Sequence, residues 1–244
     1  MRNKKYKKKK SKGCLTTFFS FVISLCLVTA LFFGGILMAK GFFMYKDAVE
    51  KTPMNVLVTE ISDDENYVEF KDLPEIYVNA VVSVEDKDFW DHKGLNIKSI
   101  GRAIVRDIQA KSFVEGGSSI TQQLMKNEYF NQEKRLERKV ADMFAAVEFE
   151  KNYSKEDIFA YYANTIYFGS GYYGIYDAAM GYFGKAPWEL SDYECIMLAG
   201  LPNAPSVYSP NENPDLAEER MNQVIGEMVE DGELTKEQAD QLIN

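Results

Sequence analysis

Apolar residues are distributed along this chain in two different ways. Residues 13–39 contain no charged side chain and are rich in Leu, Ile, Val and Phe. Beyond this run, apolar residues recur every three or four positions between polar ones, as in amphipathic helices. The first pattern predicts one transmembrane helix, because a helix of that length crosses a hydrocarbon core of about 30 Å. The second predicts a mainly α-helical domain at residues 53–244, behind a linker at residues 40–52.

Several elements of this domain can be assigned individually. Pro74 opens a predicted helix that carries Glu85 and Asp86 near its C-terminal end. Residues 55–58 and 67–70 are short strand-like runs around an acidic turn and predict a short β-hairpin. Two further helices are predicted from apolar stripes. The stripe residues are Ile97, Ile100, Ile104 and Ile108 for one helix, and Leu136, Val140, Phe144 and Val147 for the other.

Charge is distributed unevenly between the two ends of the predicted span. Residues 1–12 carry eight of the 28 basic side chains, whereas the 37 acidic residues all lie beyond residue 39. Because basic flanks remain in the cytoplasm, we expect a basic cytoplasmic tail at residues 1–12 and an extracytoplasmic domain. A cleaved signal peptide is the alternative, but its apolar region is usually only about 7 to 15 residues long. Membrane phosphates fit the tail better than nucleic acid does, because the domain is acidic.

The first segment with candidate chemistry surrounds the only histidine, His92. Acidic and aromatic residues are concentrated at positions 85–94. A carboxyl group in a partly apolar environment can have its pKa raised towards neutrality and act as a general base or acid. Glu85 and Asp86 are therefore catalytic candidates, and a solvated acidic turn is the alternative.

Two further segments combine features that suit an anion. Gly116 and Gly117 lead through Ser118 and Ser119 into a helix-like stretch, where backbone N–H groups can approach an oxyanion. A following predicted helix carries several cations, which fit a pyrophosphate leaving group. An ordinary capped glycine turn and a solvated, salt-bridged helix face explain the two segments equally well. The charged residues concerned are Lys126, Arg135, Arg138, Lys139 and Asp142.

Five segments in this order resemble the motifs of the peptidoglycan glycosyltransferases. These are the transglycosylase domains of class A penicillin-binding proteins and the monofunctional enzymes, and the resemblance covers roughly residues 53–232. It implies a lysozyme-like helical fold next to a bacterial cell membrane. It also implies polymerisation of lipid II, an undecaprenyl-pyrophosphate-linked disaccharide-peptide, into β-1,4-linked strands with inversion. The segments are Glu85-Asp86-x-x-Phe89-x-x-His92-x-Gly94, Gly117-Ser118-Ser119-Ile120-Thr121-Gln122-Gln123-x-x-Lys126-Asn127, Arg138-Lys139, Asn164-x-Ile166-Tyr167-Phe168-Gly169-x-Gly171 and Leu198-Ala199-Gly200-Leu201-Pro202.

The resemblance implies a role for each matching residue. Glu85 would be the general base that takes the proton from the 4-hydroxyl of the acceptor sugar, and Asp142 would be the second catalytic carboxylate. Asp86, His92 and Tyr167 would shape the site or contact substrate. The residues expected to hold the pyrophosphate and sugar of the donor are Ser118, Ser119, Gln123, Lys126, Asn127, Arg138 and Lys139.

Two positions depart from the family pattern. Ser118-Ser119 stands where Ser-Thr is usual, and Asp142 stands where the family usually has glutamate. The shorter side chain withdraws its carboxylate by about 1.5 Å, and misplacement on that scale can cost about 100-fold in rate. An alternative role for Asp142 is to organise Lys139, the pyrophosphate or a divalent cation such as Mg²⁺ or Mn²⁺. The sequence alone indicates no specific metal site.

Other functional classes remain open at the level of sequence. No Ser-x-x-Lys transpeptidase set follows the motifs before Asn244. We therefore expect a monofunctional enzyme or a fragment of a bifunctional one, with a separate transpeptidase and division or elongation proteins as possible partners. A catalytically silent membrane-anchored scaffold is one alternative. A lysozyme-like wall hydrolase is another, but such an enzyme does not need the cations.

Overall fold

The computed structural model of the protein describes residues 12–110, 116–130 and 135–243. Residues 1–11 of the predicted tail lie outside this part of the chain. The described residues are mainly α-helical, as predicted, and include one small antiparallel sheet. The elements are α1 (Lys12–Lys51), α2 (Met54–Ser62), α3 (Glu75–Glu85), α4 (Ile97–Ala110), α5 (Ile120–Tyr129), α6 (Leu136–Asn152), α7 (Lys155–Thr165), β1 (Tyr167–Gly169), β2 (Tyr172–Tyr173), α8 (Ile175–Phe183), α9 (Asp192–Gly200), α10 (Pro214–Asp231) and α11 (Lys236–Ile243).

Helix α1 extends well beyond the apolar run. Its segment Thr17–Lys51 is long and apolar enough, by length and composition, to cross a membrane. Residues 40–52, predicted to be a linker, continue the same helix as far as Lys51. Pro53 then precedes α2, and a proline cannot continue a helical hydrogen-bond ladder. The apolar segment and the start of the domain are therefore joined by continuous helix.

The predicted β-hairpin at residues 55–58 and 67–70 is wrong. The first run lies in α2, and the second is extended chain that enters a 3-10 turn. Met54, Leu57 and Ile61 are buried on one side of α2, with the spacing of a helical face. Packing of this face overrides the β propensity of the intervening valines. The described residues form a hairpin elsewhere, between β1 and β2.

The other helix predictions are confirmed. Helix α3 begins after Pro74, and the two apolar stripes lie in α4 and α6, although the side chains of Ile104 and Ile108 are outside the described part. The predicted stripe of α6 packs mainly against α1: Val140 is buried beside Gly41 and Phe144 contacts Phe42, whereas Leu136 is 64% exposed. The residues that α6 buries in the core are Ala141, Ala145, Ala146 and Phe149.

The core fixes the helix ends that carry the candidate residues. Helix α3 packs against α9 and α10, whereas α5 packs against α6 and α7. Fully burying a large apolar side chain contributes roughly 1.5–3 kcal/mol, and this core buries several aromatic rings completely. The largest fully buried rings belong to Tyr77, Phe89, Phe149, Phe159, Tyr162 and Phe168.

Helix α1 also packs directly on α6. A Cβ atom at Gly41 would lie 2.4 Å from Val140 Cγ1, so only glycine allows this close approach. The ring of Phe144 stacks on Tyr45, with centroids 6.1 Å apart, and meets the Phe42 ring edge-on at 5.3 Å. These contacts join the anchor helix to the helix that carries the predicted cations.

Candidate active site

Glu85 is half-buried at the C-terminal end of α3. Its Oε2 accepts a 2.7 Å hydrogen bond from Gln123 Nε2, and its Oε1 is buried with no hydrogen-bond partner among the described residues. Burial raises the pKa of Glu85, while the Gln123 bond and the positive charges of Arg220 and Lys126 oppose that rise. A carboxylate with a raised pKa and one uncommitted oxygen is suited to accept a proton.

Asp86 follows Glu85 in the chain, and both of its carboxylate oxygens have hydrogen-bond partners within the protein. Its Oδ2 lies 2.7 Å from His92 Nε2 and accepts a 3.1 Å bond from the backbone N–H of Ile120, the first residue of α5. Its Oδ1 accepts a 2.8 Å bond from Asn96 Nδ2. A negative charge at a helix N-terminus is favourable, so Asp86 attaches the segment 85–94, the acid-bearing turn, to α5. Asp86 and His92 are thus bonded to each other, and a role in shaping the site or in contacting substrate stays a prediction.

The two predicted serine ligands have different surroundings. Ser119 is fully buried and is the N-cap of α5, where its Oγ accepts a bond from the Gln122 backbone N–H and donates one to Gly94 O. Ser118 is half-buried, and its Oγ accepts a hydrogen bond from Lys139 Nζ. Ser118 therefore remains a candidate ligand. The same role for Ser119 stays a prediction that its buried side chain does not support.

Gly94 allows the acid-bearing turn to approach α6. Its φ is +82°, which favours glycine, and a Cβ atom there would lie 2.7 Å from Val147 Cα. Any side chain at this position would push the turn away from α6. Since Gly94 O also accepts the 2.7 Å bond from Ser119, the turn and the start of α5 are held together.

Helix α5 connects the two predicted parts of the site. Gln123 binds Glu85, and Lys126 and Asn127 follow three and four residues later on the same face. Both Lys126 and Asn127 are half-buried. The positive charge of Lys126 opposes the rise that burial causes in the pKa of Glu85 and in that of Asp142 on α6. Lys126 therefore acts electrostatically on both candidate carboxyl groups.

The cations predicted on α6 lie together in its first turns. Lys139 is exposed and donates to Ser118, so the N-terminal part of α6 contacts the loop before α5. Arg138 Nη1 donates a 3.0 Å hydrogen bond to Asp142 Oδ2, one turn along the same helix. The structure thus brings Lys139 of α6 beside Ser118, and binding of an anion by these groups stays a prediction.

Asp142 is only 2% exposed. Its Oδ1 is buried with no hydrogen-bond partner among the described residues, while its Oδ2 is bonded to Arg138. Burial raises the pKa of Asp142 to about 6, and the charges of Arg138, Lys139 and Lys126 counteract the rise. Asp142 is therefore positioned as the partner of Arg138, and a direct catalytic role stays a prediction.

Tyr167 lies in β1, in the glycine-rich hairpin. Its ring packs on Tyr173, with centroids 4.7 Å apart, and its hydroxyl accepts a 3.3 Å hydrogen bond from the Gly171 backbone N–H. Both contacts are within the hairpin. Substrate contact by Tyr167 stays a prediction.

Sequence reasoning missed a charged cluster behind the acid-bearing turn. Glu150 of α6 and Lys155 of α7 form a 2.8 Å ion pair, and Thr121 of α5 donates a hydrogen bond to Glu150. The only signal in the sequence was weak, because Glu150 lies in a mixed-charge stretch typical of a solvated helix end. Lys155 directly follows Ser154, the N-cap of α7, and shows no pattern of its own.

The described residues contain no group of three or more His, Cys, Asp or Glu side chains arranged to hold a metal ion. Asp142 Oδ1 is one oxygen that a divalent cation could use, but a hard cation requires several such ligands. Use of Mg²⁺ or Mn²⁺ therefore stays a prediction.

The chain is similar in sequence to known penicillin-binding proteins. The chain is 43% identical over 178 residues to penicillin-binding protein 1A of Aquifex aeolicus, covering 73% of this chain and 24% of that protein. It is 41% identical over 172 residues to penicillin-binding protein 1F of Bacillus subtilis, covering 70% and 24%. The chain thus spans about a quarter of the length of these relatives.

The similarity extends to a solved structure and to a family. The crystal structure of penicillin-binding protein 1A from Haemophilus influenzae matches with a TM-score of 0.41 and 21% identity, over 73% of this chain and 17% of that chain. The family described as Transglycosylase matches residues 53–229, which include every candidate residue considered above. The chain therefore belongs to the transglycosylase family.

Proposed function

We propose that this protein is a peptidoglycan glycosyltransferase that polymerises lipid II into β-1,4-linked glycan strands, with inversion and release of undecaprenyl pyrophosphate. The observation that carries the proposal is the bridge formed by α5. Gln123, on the half-buried face of this helix, donates a hydrogen bond to Glu85, and the charge of Lys126 on the same face acts on both Glu85 and Asp142. A proton acceptor and an anion-binding group are thus joined by one short helix.

The proposed reaction uses each group for one task. Glu85 takes the proton from the 4-hydroxyl of the acceptor sugar, and that oxygen forms the new bond to the anomeric carbon of the donor. The bond from this carbon to the pyrophosphate breaks on the opposite face, so the configuration inverts. Lys126, Arg138 and Lys139 neutralise the negative charge of the departing pyrophosphate, which is where electrostatic stabilisation is most effective.

Packing of the anchor helix supports a lipid-linked substrate. The uncharged run ends at residue 39, and Gly41 contacts Val140 in the second turn of α6. Lys40 Nζ also lies 3.7 Å from Glu137 Oε1 at the start of α6. Arg138 and Lys139, which directly precede Val140, therefore lie close to the point where α1 would leave the hydrocarbon of the membrane. The phosphates of a membrane lipid lie at this level.

The proposal includes an orientation and partners. The basic residues at positions 1–12 favour an N-terminus in the cytoplasm of a bacterial cell and a domain outside it. The growing glycan strand is the second substrate, and a transpeptidase would cross-link the product. Division or elongation proteins would direct where in the membrane the strand is made.

A catalytically silent scaffold is the second candidate function, and Asp142 favours it. The shorter carboxylate is turned to Arg138 in its own helix, so it does not reach as far as the glutamate that is usual in the family. Such a protein would keep the membrane anchor and the fold without the reaction.

The test is polymerisation by the full chain, purified in detergent, with lipid II as the only substrate. We expect long strands by gel electrophoresis from the wild type, with and without Mg²⁺ as separate arms, and none from Glu85→Gln. Absence of product from a folded wild type in both arms would favour the scaffold. Release of muropeptides from finished peptidoglycan, without strand synthesis, would favour a hydrolase.

A further inference from the structure

We propose that Glu150 and Lys155 are positioning residues: through His92 they hold the Asp86 carboxylate, and with it Glu85 and the first turn of α5. This inference rests on the proposed function, because it assigns to the cluster the task of orienting the general base. The cluster joins the acid-bearing turn to α5, α6 and α7, which come together behind Glu85.

The contacts form a continuous chain from α7 to the turn. Lys155 Nζ lies 2.8 Å from Glu150 Oε2 and 3.4 Å from His92 Nδ1. His92 Nε2 lies 2.7 Å from Asp86 Oδ2. These side chains are shielded from solvent: 1% of Asp86, 4% of Glu150, 8% of His92 and 19% of Lys155 is exposed.

The direction of these hydrogen bonds follows from donor chemistry. A lysine ammonium has only donors, so it donates to His92 Nδ1, which must carry a lone pair. The remaining ring proton is then on Nε2 and is donated to Asp86 Oδ2. Glu150 Oε1 is 3.7 Å from Nδ1, too far to compete as a hydrogen-bond partner. With the Lys155 ammonium donating to Nδ1, the imidazole connects Lys155 to Asp86 through its two ring nitrogens.

The same cluster reaches Glu85 by a second route. Thr121 donates to Glu150, and Gln123, two residues later on α5, donates to Glu85. Asp86, next to Glu85 in the chain, accepts from the first backbone N–H of α5. Glu150 is thus linked to Glu85 on two sides. Lys155 and His92 connect it to Asp86, the next residue in the chain, and Thr121 connects it to the helix that carries Gln123.

Orientation is the effect expected of such a cluster. A buried ion pair generally adds little net stability over an apolar pair of similar size, because of the cost of desolvation. Its directional bonds, however, define one arrangement of the turn against three helices. Lys155 also lies over the Phe89 ring, 4.4 Å from its centroid, which further restricts the ammonium group.

The test compares Lys155→Met and Glu150→Gln with the matched control Lys151→Met. Lys151 forms a 3.0 Å ion pair with Glu148 near the same end of α6, but its side chain is 63% exposed. We expect the two cluster variants to lose about 100-fold in kcat for lipid II polymerisation, with KM little changed, because misplacement of a catalytic group acts on the chemical step. The control should keep wild-type kcat.

Two further variants separate positioning from folding. Thr121→Val removes one hydroxyl at nearly constant volume, and we expect a folded protein with about tenfold lower kcat, since the bond it breaks is one of several. Lys155→Arg retains a donor cation and should recover part of the kcat lost in Lys155→Met. The double variant Glu150→Gln/Lys155→Met should lose no more than either single variant, as expected for residues that act as one unit.

Different assay results would contradict the positioning role and the proposed function. A lower melting temperature with unchanged kcat of the folded protein in Thr121→Val and Lys155→Met would reduce the cluster to a structural ion pair and overturn the inference. Inactivity of both the wild type and Lys151→Met would instead contradict the proposed function.

Discussion

The two candidate carboxyl groups, Glu85 and Asp142, are both shielded from solvent, and burial raises the pKa of each. Their hydrogen-bond partners differ. Glu85 accepts from a neutral amide of another helix, Gln123, whereas Asp142 accepts from the guanidinium of Arg138 in its own helix. In both residues the second oxygen is buried with no hydrogen-bond partner among the described residues.

This difference separates two uses of a buried acid. An amide orients a carboxylate without neutralising it, so Glu85 remains able to take a proton. An ion pair within one helix uses the carboxylate to orient the cation, so Asp142 serves Arg138 and, through it, the proposed pyrophosphate site. The comparison predicts that Glu85 is indispensable to the chemistry, whereas Asp142 contributes indirectly.

The largest expected effect comes from Glu85→Gln. General-base catalysis typically contributes about 10²–10⁴-fold, so we expect kcat to fall by about 1000-fold or more with the fold retained. Asp142→Asn in the same lipid II assay should lose far less. Equal losses in the two variants would break the distinction between the carboxyl groups.

The next largest effect is expected at the cationic end of the site. Lys139→Ala should lower kcat/KM for lipid II by about 100-fold, because it removes one charge that stabilises the leaving group. Thermal stability should change little, since Lys139 is exposed. A loss of stability in proportion to activity would point to a structural ion-pair role; Lys151→Ala provides a control for removal of an exposed lysine from α6.

Asp142→Asn tests the buried charge itself through the pH dependence of stability. The pKa of Asp142 is raised from 3.8 to about 6, so its contribution to stability is fully present below pH 3.8 and is lost as the pH rises through about 6. The asparagine variant cannot ionise, and its free energy of unfolding relative to the wild type should increase by about 3 kcal/mol over that range. Denaturant titration in detergent at pH 4 and pH 7 measures the difference. The exposed Asp215→Asn is the control, and a flat difference for Asp142→Asn would contradict burial of the charge.

The smallest effect is expected from Asp142→Glu. Restoring the residue that is usual in the family moves the carboxylate about 1.5 Å outward while preserving the i,i+4 pairing with Arg138. We expect polymerisation to stay at the wild-type level or to rise a few-fold, measured as initial rate with lipid II. A clear drop would indicate that this site has adapted to the shorter acid and would sharpen the contrast with Glu85.

The sequence allowed much of the candidate site to be predicted, because its parts are encoded locally. Glu85 ends a helix that Pro74 begins, and α6 carries Arg138 and Lys139 one turn from the helix start. The prediction failed where packing opposed local propensity. The valines of α2 suggested a strand, but Met54, Leu57 and Ile61 bury a helical face.

The sequence by itself determined the helical class, the apolar segment and the acidic and basic residues of the site, since these depend on residue type and on spacings within one helix. Only the tertiary structure decided what those residues do for one another. The bond from Gln123 to Glu85 and the burial of Ser119 join separate segments. So does the path from Lys155 through His92 to Asp86, which spans 69 positions of the chain. Such contacts depend on how helices pack, because no local pattern specifies which side chains will meet across the core.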